Sequence, residues 1–271
     1  MDVPLRDLLV TMVVFGAVPF IVTRPYLGVL MWSWIGYMNP HRLTWSFAYS
    51  FPFAQVIGVA TLVGLLFSRE PKRIPWNGVS VLLLILTLWM VVTTLVALYP
   101  GSAWDQLSKV LKIQVMVFVT MMVVNSEDRI RGLVWVIALS LGFYGIKGGL
   151  FAIRTGGEYS VVGPAQTFIG GNTALALALI MVLPLLRFLH LTAERTWLRW
   201  GLAGAMVLTG LAIIATYSRG AFLAVACMLV FLWLNSRYKV ALALALLILV
   251  PVGLSFMPQK YFDRLETIVH Y

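Results

Sequence analysis

The sequence predicts an all-α fold, a polytopic transmembrane helix bundle, on three observations. Apolar runs recur almost from end to end, with 61% hydrophobic and only 11% charged residues among 271 and a mean hydropathy of +0.93, the composition of a chain whose solvent is largely lipid. Each run is close to the ~20 residues that a helix needs to cross a bilayer. Trp45, Trp76, Trp104, Trp197, Trp200 and Trp233 fall near segment ends, where an indole sits at the headgroups.

The elements follow in order. Residues 7–22 lack a small-x-small cleavage site and run straight into Arg24, Pro25 and another apolar stretch, so they read as a retained span and not as an export signal. With residues 26–38 they form either two spans or one broken, partly re-entrant element beginning in the cytoplasm. Asn39-Pro40-His41-Arg42 is a turn, with His41 a surface loop residue. Further spans are expected over 49–67, 78–98, 107–124, 130–153, 170–189, 198–217, 220–234 and 240–257, about 9–10 crossings in all. The connections 69–77 and 155–169 are too short to fold alone, so residues 1–271 form a single integral membrane domain.

Orientation follows from Lys and Arg in the short loops. Arg69, Lys72 and Arg73, then Arg129 and Arg131, then Arg187, Arg195 and Arg199, then Arg237 and Lys239 occupy alternate loops, which places those loops in the cytoplasm. The loops around Tyr99 to Asp105, Thr155 to Gln166 and Tyr217 to Gly220 then face outward, as does the tail from Gln259. The net charge of +10 is explained largely by this asymmetry, and no nucleic-acid partner is expected. Cys227 is alone within an apolar run, which excludes an intrachain disulfide and reads as a small buried hydrophobe. No nucleotide phosphate loop, His-Glu-x-x-His or Cys-x-x-Cys motif is present, so no metal site and no cofactor are expected. Glu127-Asp128 reads as a helix start beside Arg129.

Five cations lie within or at the ends of the apolar segments, all toward the outward side: Lys109, Lys112, Lys147, Arg154 and Arg219. A cation in hydrocarbon is costly and turns toward a bundle interior or a wet cavity, so several on one side suggest a site for an anionic group. Lys109 and Lys112 stand three apart, share a helix face and are expected in the first turns after an outward loop. For these two, snorkelling to headgroup phosphates fits as well as ligand binding. Lys147 lies in Gly145-Ile146-Lys147-Gly148-Gly149, and Arg154 follows two turns later, on the same side if the helix continues through the glycines. Thr155-Gly156-Gly157-Glu158 should stop that helix. Glu158 reads as a solvated loop carboxylate in preference to a base, and Gly170-Gly171-Asn172 as a cap for the next span. Arg219 sits in a tight turn, Thr216-Tyr217-Ser218-Arg219-Gly220-Ala221, where a guanidinium can contact phosphate oxygens bidentately and helix-start amides add to the same anion site.

Thr216 to Ala221, the Gly156-Gly157-Glu158-Tyr159 and Gly163-Pro164 loop, Asn172 leading into Ala174 to Leu179, and Phe262-Asp263-Arg264 together resemble the O-antigen ligase family. Arg24-Pro25-Tyr26 and Trp34 to Arg42 are similar to its exosortase-associated O-glycosylation ligases. The resemblance implies a membrane enzyme of the bacterial inner membrane. Such an enzyme transfers a glycan from undecaprenyl diphosphate to an acceptor, lipid A core or protein, on the periplasmic face. It also implies a functional role for Arg219, whose catalytic task would be to stabilise charge on the leaving diphosphate. Lys109, Lys112, Lys147 and Arg154 join the donor site by placement alone. Members of the family continue past the position of Ile268 into a large periplasmic loop with an essential histidine and a further arginine. The chain is therefore expected to be truncated before that loop, with His270 not its equivalent. Without a general base, turnover would fall by ~10² to 10⁴. A repeat-unit polymerase using the same donor, and a transporter of lipid-linked glycans, are the alternatives. Acidic residues are absent from the span centres, which disfavours coupled transport.

Overall fold

The computed structural model describes residues 4–69 and 72–235. The expected span 240–257, Arg237 and Lys239, the motif at Phe262 to Arg264 and His270 lie outside the described residues. Within them the chain is all-α, with helices α1 (Leu5–Thr23), α2 (Pro25–Met38), α3 (Phe53–Phe67), α4 (Gly78–Leu95), α5 (Pro100–Val123), α6 (Glu127–Arg154), α7 (Asn172–Thr192), α8 (Thr196–Ala215) and α9 (Arg219–Asn235). Six of these, α1 and α4 to α8, are long and apolar enough to cross a membrane, while α3 and α9 are shorter apolar helices. This is a multi-pass membrane helix bundle. At 14 residues α2 is shorter still, reaching about 21 Å at 1.5 Å per residue. Contacts divide the chain into two compact units, Met1–Val136 and Ile137–Tyr271.

In the first unit the amino-terminal element resolves into two helices broken at Arg24, because Pro25 lacks the amide to continue α1 and instead starts α2. Buried Asp7, Val14 and Ile21 recur every seven residues and form one face of α1. That face joins Ile35, Phe53, Ile57 and Ala60 in a core cluster. The helices approach closely through glycine: a side chain at Gly64 of α3 would meet the carbonyl oxygens of Ile21 and Val22 at 2.8 Å, and one at Gly28 of α2 would collide with Thr61. Asn39 ends α2 in the left-handed region (φ 48°), and Pro40–Leu43 and Phe47–Tyr49 are 3-10 turns.

Those turns hang on Asp7. Its carboxylate is fully buried and accepts from the backbone amides of Ala48 (3.0 Å), Ser46 (3.2 Å) and Trp45 (3.4 Å). A buried carboxylate needs such partners, and buried amides need such an acceptor. His41 departs from its expected place as a surface loop residue. It is half-buried, its ring lies 6.2 Å from that of Phe53, and its Nδ1 is buried with no hydrogen-bond partner. Burial, then the charge of Arg42, push its pKa down to about 4.

At the other end of the unit, Tyr26 donates to the Arg129 carbonyl (3.0 Å) and the Arg129 guanidinium lies 5.3 Å from the Tyr26 ring centre. The same guanidinium donates to the Val123 carbonyl at 2.6 Å, closing the end of α5. Lys72 closes α3 likewise through the Leu66 carbonyl at 2.7 Å.

Two outcomes are expected of detergent-purified protein followed by thermal unfolding. Asp7→Ala strands three amides and should cost about 3 kcal/mol or more, with Asp7→Asn less damaging because one acceptor oxygen remains. His41 is held neutral in the fold, with a pKa below its usual 6.5. Its protonation should therefore weaken the fold as pH falls from about 6.5 towards 4, with no effect above that window. His41→Gln should flatten that part of the pH profile.

Candidate functional site

The second unit brings together the sequence segments around Arg154 and Arg219. Helix α6 continues through its glycines to Arg154, which meets the condition for Lys147 and Arg154 to share a side, and the glycines face a neighbour. A side chain at Gly145 would collide with Thr209 and one at Gly149 with the Leu208 carbonyl, while one at Gly148 would meet Val161 at 2.9 Å and Ala212 at 3.1 Å. Gly145 and Gly149 are four apart, the small-residue spacing that lets helices meet backbone to backbone in lipid. Phe143, Lys147, Leu150 and Arg154 form the exposed side of this part of α6, so Lys147 and Arg154 share one face about 10 Å apart along the axis.

Beyond Arg154 the helix stops where expected. Gly156 (φ 59°) and Gly157 (φ 77°) take left-handed backbone, which only glycine adopts without cost, and the Gly157 amide bonds the Ala152 carbonyl at 2.9 Å. The loop then runs across the end of α8, whose last carbonyls lack partners within their own helix. The Val161 amide donates to the Ala215 carbonyl at 2.9 Å. Ser160 Oγ and Asn172 Nδ2 both donate to the Thr216 carbonyl, at 3.0 and 3.1 Å. Gly163 and Gly171 pair across the loop through a 3.0 Å bond. Helix α7 starts within the expected Gly170-Gly171-Asn172 stretch, with Gly171 at its cap position and no side-chain hydrogen bond there, while the Asn172 amide goes to Thr216.

The turn before α9 is built by its hydroxyls. Thr216 Oγ1 donates to the Ile213 carbonyl at 2.7 Å. Tyr217 holds left-handed backbone (φ 51°), an uncommon state for a large side chain, and its phenol donates to the Gly157 carbonyl. Ser218 Oγ donates to Thr173 Oγ1 (3.0 Å) and accepts from the Ala221 amide (3.3 Å), capping α9. Thr216 and Ser218 are buried, whereas Arg219 and Gly220 are exposed. The hydroxyls near Arg219 are therefore engaged in holding the turn, and Arg219 is its exposed side chain. Glu158 is exposed, the solvated loop carboxylate expected.

Arg154 lies three residues from Gly157, and Arg219 two from Tyr217, so the Tyr217–Gly157 bond ties their segments together. Lys109 and Lys112 belong to the first unit, exposed on α5. That helix begins at Pro100, seven residues before the expected span. The two lysines thus sit past its second turn and not at its outward edge, because proline at the first position starts a helix well and the segment Gly101 to Gln106 extends it. Cys227 is also exposed on α9, where a buried residue was expected. Sequence reasoning missed Asp7 and Tyr217. A lone carboxylate at the start of an apolar helix was the available signal for the first.

The close α6–α8 contact supports the placement of Lys147 and Arg154, and it can be tested separately. Gly149→Val should force α6 away from the Leu208 carbonyl and cost about 2 kcal/mol or more in thermal unfolding. Gly204→Val on α8, where nothing lies within 4 Å, should be tolerated.

No curated protein and no solved structure matches the chain. Residues 5–194 match a family of unknown function, DUF5935, over most of the sequence, and the protein with this two-helix amino-terminal break and glycine-packed α6 belongs to that family.

Proposed function

We propose that the protein is a glycan ligase of the bacterial inner membrane, taking its glycan from undecaprenyl diphosphate on the periplasmic face and passing it to lipid A core or protein. The observation that carries this reading is the presentation of an exposed Arg219 on a turn whose neighbouring hydroxyls are bound up in structure. A guanidinium carried on a turn fixed in this way can meet a diphosphate without the cost of ordering the backbone that bears it. The turn joins the loop after Arg154, so a second cation, and Lys147 two turns below it, lie on segments tied to the same end of the unit.

In the reaction an acceptor hydroxyl oxygen bonds to the anomeric carbon and gives up its proton to water, as the bond from that carbon to the diphosphate breaks. The electron pair leaves with the diphosphate. Negative charge therefore grows on the leaving group, and Arg219 stabilises it in the transition state. Protein cations can neutralise the diphosphate, so the proposal calls for no metal cofactor. Lys109 and Lys112, further along α5, are assigned a weaker share, as cations that favour the anionic headgroup by longer-range attraction.

The test is transfer in membranes supplied with undecaprenyl-diphosphate-linked glycan. Arg219→Ala should lower the rate by about 10² or more, and Arg219→Lys should not restore it, because an ammonium cannot reproduce a bidentate contact. Undiminished transfer by either variant, at matched levels of folded protein, would contradict the proposal.

A further inference from the structure

We infer that the start of α1 lies on the non-cytoplasmic side of the membrane, together with the 3-10 segment that Asp7 holds. The sequence alone leaves open whether residues 7–38 make two crossings or one re-entrant element beginning in the cytoplasm. Contacts within the first unit decide which ends lie together. Ile21 and Val22, near the end of α1, pack on Gly64, near the end of α3. Tyr26, at the start of α2, bonds Arg129 in the first turn of α6, and Arg129 closes the end of α5 at Val123. Tyr26 also packs with Leu65, Val119 and Val123 in one cluster. One end of the unit thus gathers Arg24, the loop carrying Arg69, Lys72 and Arg73, and the turn carrying Arg129 and Arg131.

The opposite end gathers the start of α1 and the α2–α3 connection. Asp7 accepts from Trp45, Ser46 and Ala48, and Arg6 Nη1 reaches the Leu43 carbonyl at 3.5 Å. Its Lys and Arg residues are Arg6 and Arg42, and His41 is held neutral near pH 7. The α4–α5 turn, residues 96–99, carries no Lys or Arg.

Short loops rich in Lys and Arg stay in the cytoplasm, so the Arg24 end is cytoplasmic. α1 then runs inward from a non-cytoplasmic start, α2 returns outward, and α3 runs inward again. Trp45, 79% exposed on the 3-10 segment, is placed to sit among outer headgroups. This orientation rests on loop charge and packing, independently of the reaction proposed above.

The test is labelling of single cysteines by a membrane-impermeant maleimide in spheroplasts. It uses a Cys227→Ser background, which removes the chain's one cysteine, with total thiol scored after denaturation. Leu5→Cys and Ser46→Cys should label in intact spheroplasts, and Asn125→Cys, in the α5–α6 turn, only after lysis. Tyr99→Cys gives a second outward position should Ser46→Cys disturb the Asp7 contacts. Protection of Leu5→Cys in spheroplasts, whether from a cytoplasmic position or from burial in the bilayer, would overturn the inference. So would labelling of Asn125→Cys before lysis.

Discussion

In hydrocarbon the chain must pair its own backbone amides and carbonyls, since no water is present to do so. Helix interiors meet this demand automatically and helix ends do not. Much of what is particular to this protein is found at those ends. Asp7 gathers three amides of the α2–α3 connection. Arg129 and Lys72 close α5 and α3. Ser160, Val161 and Asn172 supply donors to the end of α8. The turn that presents Arg219 is a product of the last of these closures, so the proposed site is a consequence of satisfying a helix end.

The second constraint is close helix approach. Without a hydrophobic drive between helices in lipid, packing depends on small residues. Gly145 and Gly149 let α6 lie against α8 at Thr209 and Leu208, while Gly28 and Gly64 do the same for α1 to α3. These contacts leave Lys147 and Arg154 on the open side of α6. Packing and charge placement are thereby coupled: the glycine face sets where the cations point.

Helix identity was legible in the sequence because long apolar runs admit few other structures in a bilayer, and the stop after Arg154 was legible because Gly156-Gly157 supply the backbone that ends a helix. Contacts that join distant segments were not. Asp7 reaches residues about forty positions away, and nothing in local pattern announces such a partner. Asn172 has the residue type of a cap, yet its amide goes to Thr216, 44 positions on. The start of α5 was placed too late because hydropathy weighs Pro100 to Gln106 as a loop, although the segment continues the helix. At the Arg219 turn, residue types correctly suggested a charge among hydroxyls, but only three-dimensional geometry shows those hydroxyls turned inward.

The central claim, that the Arg219 turn grips a diphosphate, is tested most directly by native mass spectrometry of the purified protein with undecaprenyl diphosphate. Retention of the lipid by the wild-type chain, and its loss in a folded Arg219→Gln variant, is the result this account predicts. Equal retention by the two proteins would contradict it.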